Sequence, residues 1–366
     1  MPKVVISGYY GFYNSGDEAM LYAMLQALRK TVPGLEVTVL SRDPGFTARE
    51  FGVHSISRVN IRQVYQELHK ADLLISGGGG LLQDATGPNS IIYYLGVVAM
   101  ARFLGKPVFF YAQGIGPVRT NLGRFLIRLV VNRVSTITVR DPDSRDELVS
   151  IGVKRPPVYV TADPVLGLDP ALLDLKRGRE ILASLGIEDG PVAGISVRPW
   201  KGLNGYKRVL ARVADDLAAK GWRVLLVPMH RPVDAESCRE VAGLMRGKSY
   251  LLNNHTGFMD LLSVAANLDL AMGMRLHFLI FGALFGVPLI GIPYDPKVNR
   301  FLQSVGQPPG LNVETLSYTE LSLRIEEVLA DRAGISAGLN EKVDLLREKA
   351  LKNAVQVGEL FRKLNV

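Results

Sequence analysis

The stretch KVVISGYYGFYNSGDEAMLYAMLQALRKTVPGLEVTVLS, residues 3–41, decides how this chain folds. KVVISG (3–8) is a short run of apolar and β-branched residues that ends in glycine, the mark of a buried strand. From Glu18 to Thr31 the apolar residues recur at helical spacing, and EVTVLS (36–41) is a second strand. Working outward, the same alternation continues. Helical spacing over Ile61–Lys70 leads to the strand ADLLISGGGG (71–80), and Ile91–Leu104 to PVFFYAQGIG (107–116). Leu122–Val134 leads to TITVRD (136–141), and Asp143–Ile151 to VYVTADP (158–164). Strands that are apolar on both faces and alternate with helices predict a parallel sheet covered on both sides.

The alternation pauses over 166–190, a polar stretch that suits a linker carrying a helix. It resumes with the strand PVAGISVRP (191–199), helix Tyr206–Lys220, strand RVLLVPM (223–229), helix Ala235–Arg246 and strand SYLLN (249–253). Helix Phe258–Asn267, strand LDLAMG (268–273), helix His277–Phe285 and strand PLIGIP (288–293) follow. The expected architecture is α/β and GT-B-like: two Rossmann-type, doubly wound parallel-sheet domains facing a central cleft. The expected division is 1–170 and 171–339. The basic helical tail, Tyr318–Asn365, is expected to pack back on the first domain through its last part, 340–366.

A chain of 366 residues favours two domains, and 48% hydrophobic with 21% charged residues is ordinary globular usage. The net charge of +8 leans toward anionic partners. No Lys/Arg block of the kind used by nucleic-acid tails is present, so phosphorylated small molecules or an anionic membrane face are favoured and nucleic acid is not. Cys238 is the single cysteine, which excludes an internal disulfide and a cysteine metal site. MPKVVISGYYGF reads as a strand rather than a signal peptide, and the longer apolar runs are too short or glycine-broken to span a bilayer. The expectation is a cytoplasmic protein.

Ligands in doubly wound folds bind beyond the carboxyl ends of the strands. In the first half those ends are glycine-rich. GYYGFYNSGDEAML (8–21) carries Asn14, Ser15 and Asp17 at a helix N-terminus, suited to an anion or hydroxyl. Its glycine spacing is not G-x-G-x-x-G and no ribose-binding acid follows, so NAD is not expected. SGGGGLLQD (76–84) removes side chains over four consecutive glycines, Gly78 and Gly79 among them, then offers Gln83 and Asp84; AQGIGP (112–117) offers Gln113, with Arg119 just after. Three such ends together read as a ligand wall. Arg140 and Asp141 in TVRDPDS read as a structural clamp, Asp143 or Ser144 as a helix cap, and Asp163 has no assigned role.

In the second half SVRPW (196–200) puts Arg198 at a strand end. GMRLHFLIFGALFGVPLIGIPYDPK (273–297) puts Arg275 and His277 just after the strand LDLAMG (268–273) and Lys297 in the loop after the last strand. Guanidinium groups fork onto carboxylate and phosphate. Three cations and one histidine, with no Cys or His cluster for metal, describe a small polyanion site. A lone imidazole near apolar residues is also often a satisfied core residue, so His277 stands between the two readings. A nucleotide-sugar glycosyltransferase and a non-enzymatic anionic-sugar binding protein both remain open at this point. The first would usually want an acid late in the second domain, where the turn offers Asp295 between prolines.

The combined motifs GYYGFYNSGDEAML, ISGGGGLLQD, AQGIGP, TVRD, TADP, GMRLH and Pro-Tyr-Asp-Pro-Lys resemble the polysaccharide pyruvyl transferase family, over about Met1 to Leu302. Within it they look most like the branch serving bacterial secondary cell-wall polymers. The resemblance implies transfer of the enolpyruvyl unit of phosphoenolpyruvate (PEP), a co-substrate rather than a cofactor, to make a 4,6-pyruvate ketal with release of phosphate. It implies a lipid-linked glycan acceptor bearing N-acetylmannosamine, and peripheral contact with the inner membrane face. Carried over, Arg275, His277, Lys297 and Arg198 bind PEP, with Arg119 as a weaker ligand. His277, Arg275 and Asp17 are the expected catalytic residues, and Asn14, Ser15, Gly78, Gly79, Gln83, Asp84 and Gln113 are expected to face the acceptor.

Overall fold

The computed structural model describes residues 1–84, 89–253 and 256–364; His255 lies outside them. The chain divides into two compact units. The first takes Met1–Tyr13, Asp17–Leu168 and the chain from Leu346 onward; the second takes Asn14–Gly16 and Asp169–Leu345.

The first unit is built on β1 (Lys3–Ser7), β2 (Glu36–Ser41), β3 (His54–Ser57), β4 (Leu73–Ser76), β5 (Gly79–Leu82), β6 (Val108–Ile115), β7 (Thr136–Val139) and β8 (Val158–Val160). They form one parallel sheet in the order β3-β2-β1-β4-β6-β7-β8, with β5 also paired to β6. β4 and β6 are buried along their whole length. That is why their sequences are continuously apolar instead of alternating. The core on one side gathers Val5, Leu74, Phe110 and Ile137 from the strands and Leu95, Val98 and Ile127 from the helices. The last helix, Arg332–Lys363, delivers the buried Asn353 to this unit, where it accepts from Thr161 Oγ1 at 2.8 Å.

The second unit carries β9 (Val192–Ser196), β10 (Arg223–Leu226), β11 (Ser249–Leu251), β12 (Leu270–Gly273) and β13 (Leu289–Gly291), all parallel, in the order β11-β10-β9-β12-β13. In both sheets the order reverses direction beside the first strand. Between β1 and β4, and between β9 and β12, neighbouring connections leave on opposite faces and open a crevice at the carboxyl ends.

The α/β class and the parallel, Rossmann-like arrangement agree with the sequence reading. Four short elements do not appear in that reading: the helix Pro44–Phe51, β3, β5 and the helix Pro296–Ser304. Both helices begin at a proline within a turn-like stretch, and the two strands, HSIS and GGLL, carry polar residues or glycine at half or more of their four positions, so none stands out as an apolar run. Local chemistry makes them instead. Asp43 caps Pro44–Phe51 by accepting from Phe46 N, and Gly52 closes it in the left-handed region at φ 60°. The tail is two helices, Tyr318–Ala330 and Arg332–Lys363, broken at Asp331. Among the described residues no helix is long and apolar enough to cross a membrane.

Candidate functional site

Arg198, Arg275, His277 and Lys297 all belong to the second unit, just beyond the carboxyl ends of β9, β12 and β13. The crevice between β9 and β12 is therefore flanked by Arg198 on one side and Arg275 on the other. Gly273 ends β12 where a Cβ would stand 2.6 Å from the Ser196 carbonyl oxygen of β9, so the two strands keep their close approach only with glycine there.

The residue around which the cations gather is Tyr294. The Arg198 guanidinium carbon is 4.3 Å from its ring centroid and Lys297 Nζ is 5.2 Å from it, with Trp200 packed 4.9 Å away at 52°. Burial alone would push the phenol up. The charges of Lys297, Arg198 and Arg275, with a hydrogen bond from Lys297, outweigh burial and bring it down to about 8. Three cations act on one hydroxyl, and although Arg275 is paired with Asp234 and Lys297 with Asp295 at 3.8 Å, the balance at the phenol is positive and favours an anion beside it. Sequence reasoning missed Tyr294, reading Pro-Tyr-Asp-Pro as a turn. Its signal was present in its position between a strand end and Lys297.

Arg275 is held by Asp234, which is fully buried. Nε and Nη2 of the guanidinium donate to the two carboxylate oxygens at 2.8 and 2.5 Å. Asp234 also accepts from the backbone N–H groups of Met229 and His230 at 3.2 and 2.9 Å. The pair is satisfied on both sides, so the guanidinium is fixed in orientation beside the crevice. Asp234 opens the helix Val233–Leu244 and reads from sequence as an ordinary acidic first turn; nothing local ties it to a residue 41 positions on.

His277 stands in the first turn of the helix Leu276–Leu284, half-buried. Gly16 packs closely against it: a Cβ on Gly16 would overlap the imidazole. The segment carrying Gly16 is anchored within the second unit. Ser15 N donates to the Met229 carbonyl at 2.9 Å, and Asn14 forms an antiparallel bridge with His230. Asn14 Oδ1 accepts from Gly16 N at 3.2 Å and Ser15 is buried. Asp295 accepts from Lys297 N at 3.0 Å and caps the helix Pro296–Ser304, which gives that carboxylate a local structural use.

The remaining predicted residues belong to the first unit. Asp17 is half-buried at the start of the helix Ser15–Thr31. A Cβ on Gly79, whose φ of 98° favours glycine, would lie 3.2 Å from Asp17 Oδ1. Gly78 packs near Met20 Sδ. Gln83 follows β5, half-buried. Asp84 is a loop clamp: it accepts from Arg119 N at 2.9 Å, Thr120 N at 2.8 Å and Thr120 Oγ1 at 2.7 Å. Burial would raise its carboxyl, but these hydrogen bonds hold it below the usual range. Arg119 offers its backbone to that clamp and carries an exposed side chain. Gln113 is fully buried and donates to Ser76 Oγ at 2.6 Å and the Gly77 carbonyl at 3.1 Å.

The reading of the glycine-rich ends as a bare ligand wall needs correction. The Tyr10 ring and hydroxyl occupy the space over Gly8 and Gly77, and the Arg140 guanidinium lies 2.6 Å from where a Gly114 Cβ would be. Arg140 in turn pairs with Asp163 at 3.1 Å rather than closely with its neighbour Asp141, which caps the helix Pro142–Ile151. Within the run Gly77–Gly80 only Gly80 would face open space.

The chain resembles known proteins along most of its length. It is 22% identical over 312 residues to the amylovoran biosynthesis protein AmsJ of Erwinia amylovora, covering 81% of this chain and 74% of that protein. Its fold matches HepE of Anabaena, solved with UDP and glucose, at 14% identity and a TM-score of 0.67 over 99% of this chain and 100% of that one. It also matches MnaA of S. aureus, solved with UDP, at 13% identity and a TM-score of 0.69 over 100% and 97% of the two chains. At these identities the structural likeness shows a shared GT-B-like fold of two Rossmann-like units. The profile of polysaccharide pyruvyl transferases spans residues 14–296, which include Asp17, Gln113, Arg198, Asp234, Arg275, His277 and Tyr294. This chain belongs to the polysaccharide pyruvyl transferase family.

Proposed function

We propose that the chain moves the enolpyruvyl group of PEP onto two hydroxyls of a sugar, forming a pyruvate ketal and releasing phosphate. The observation that carries this reading is the gathering of Arg198, Arg275 and Lys297 around Tyr294 beyond adjacent strand ends, with His277 two residues from Arg275. PEP brings a carboxylate and a phosphate, and a cluster of cations offsets the cost of concentrating that charge. Family membership and the amylovoran relative support pyruvyl transfer in polysaccharide biosynthesis. The motif resemblance selects an N-acetylmannosamine unit on a lipid-linked cell-wall precursor as acceptor, met at the inner membrane face.

In this mechanism His277 gives a proton to the methylene carbon as the first sugar hydroxyl bonds to C2, and takes that hydroxyl's proton in return. Imidazole is the side chain suited to both transfers near neutral pH. The C2–O bond to phosphate then breaks, with Tyr294 protonating the departing oxygen. The second hydroxyl closes the ketal and returns its proton to the Tyr294 phenolate, which Arg198 and Lys297 stabilise meanwhile. Two hydroxyl protons leave the sugar; one ends on the new methyl group and the other on phosphate. Arg275 holds PEP, with Asp234 as its positioning residue. Arg119 remains a proposed outer PEP contact. Asp17, with Asn14, Ser15, Gly78, Gly79 and Gln83, remains the proposed acceptor side; Asp84 and Gln113, whose polar groups are engaged within the first unit, are not part of it.

The test is phosphate release from PEP in the presence of N-acetylmannosamine-bearing acceptor, with UDP-sugars as the alternative donor. Acceptor-dependent phosphate from PEP is expected. Glycosyl transfer from a UDP-sugar, with PEP inert, would overturn the reading in favour of a glycosyltransferase.

A further inference from the structure

The helix Asn121–Val131 turns Gly123, Ile127 and Val131 inward. Its outer face carries Leu122, Phe125 and Leu129, which are 57, 60 and 42% exposed. Their spacing of three and four residues puts them on one stripe. Apolar side chains scattered singly need no explanation, but a stripe of three on one short helix does. Beside it runs a groove of about 560 Å³ lined by Phe125 and Leu129 together with Arg128, Arg133, Lys154 and Arg155. No carboxylate lines it among the described residues.

The basic rim is built by one side chain. Asn132 donates to the Arg128 and Gly152 carbonyls at 2.7 and 3.0 Å and accepts from Lys154 N and Arg155 N at 2.8 and 3.1 Å. It thereby brings two cations of a separate loop to the end of the helix. The neighbouring Arg124 is by contrast spent on Glu147 and Ser150. Four cations with no acid among the described lining residues give this face a positive potential that favours an anionic partner.

We propose that this face, the Leu122–Phe125–Leu129 stripe with its rim of Arg128, Arg133, Lys154 and Arg155, docks the protein on an anionic phospholipid surface. The apolar stripe enters the interface while the cations stay at phosphate level, the division of labour of interfacial amphipathic helices. The surface deepens the proposed membrane-borne acceptor by naming where the chain meets the lipid. It is testable without PEP, so its failure is separable from failure of the pyruvyl-transfer reading.

The experiment is co-sedimentation of the full chain with vesicles of phosphatidylcholine alone or mixed with phosphatidylglycerol. Binding is expected to the mixed vesicles at low salt, and to weaken as salt is raised. Arg128→Ala with Arg133→Ala, and separately Phe125→Ser with Leu129→Ser, are each expected to weaken it about tenfold or more. Both pairs lie on exposed positions, and unchanged circular dichroism checks that they fold. No binding to mixed vesicles, or double variants that bind like the parent, would overturn the proposal. So would a lipid-free dimer that the Phe125→Ser, Leu129→Ser variant abolishes, since a second copy would then be the occupant.

Discussion

The two crevices of this molecule are built alike and furnished oppositely. Each opens where the strand order reverses, between β1 and β4 in the first unit and between β9 and β12 in the second. In the first, the chain's own Tyr10 lies over Gly8 and Gly77, 1% exposed, with neutral Ser7, Ser76 and Gln113 buried around the strand ends. In the second, Arg198 and Arg275 flank the opening and Lys297 joins them at Tyr294. A ring can fill a crevice because burial favours it, whereas charges need partners: Arg275 has Asp234 and Lys297 has Asp295, which with Arg198 leaves one net positive charge among these five groups. The same topological feature thus serves packing in one unit and charge in the other.

That contrast can be broken by substitutions that should move activity on one side and stability on the other. The largest effect is expected for His277→Ala: a loss of roughly 10²–10⁴-fold in kcat, measured as phosphate release from PEP, with circular dichroism unchanged. A variant within threefold of the parent would remove His277 from the chemistry. Next comes Tyr10→Ala, which should cost about 3–5 kcal/mol in urea unfolding, as for a buried aromatic replaced by a small side chain. If Tyr10→Ala were instead stable and merely inactive, the first crevice would be a site rather than a filled space.

Tyr294→Phe keeps the ring against Arg198 and Trp200 and removes the proton. It should lower kcat by about 10²-fold with little change in the KM for PEP. The sign of its pH signature follows from the donor role. A phenol brought down to about 8 in the free chain loses its proton as pH rises through that value, so parental kcat/KM for PEP should fall there on the alkaline side. Tyr294→Phe should lack that limb. Persistence of the limb in the variant would assign it to another group.

Asp84→Ala should cost about 1–3 kcal/mol, because three donors of the 119–120 loop lose their acceptor. The Asp84 carboxyl is depressed in the folded chain. Its contribution is therefore present above the ordinary carboxylate range and lost as pH falls through the folded value, and acid unfolding of the parent and variant should converge. The smallest effect is expected for Tyr10→Phe, within about 0.5 kcal/mol of the parent. The Tyr10 hydroxyl is buried with no hydrogen-bond partner among the described residues.

Long elements were legible because periodicity accumulates over them. Ile61–Lys70 is a helix over the range read from spacing, and the ends of most other helices fall within three residues of expectation. Short elements made by caps and turns were not, as Pro44–Phe51 and β5 illustrate. For the site, residue type and strand-end position were enough to single out Arg198, Arg275, His277 and Lys297, since a charge at the mouth of an apolar strand is conspicuous. Their neighbours were invisible. Asp234 resembled a routine helix start, Tyr294 a turn aromatic, and Gly16 one more loop glycine, although it packs closely against His277.

The amino-acid sequence by itself determined the parallel α/β units, the strand ends that carry charge and the family. All of these depend on local pattern, which survives without knowing what touches what. Only the tertiary structure decided which glycines make room for the chain's own side chains, that Asp84 and Gln113 are tied into the first unit, and that a buried carboxylate orients Arg275. It also decided that three cations act on one phenol. Those facts depend on contacts between residues far apart in the chain, and the energy of a buried charge is set by such neighbours rather than by its own identity.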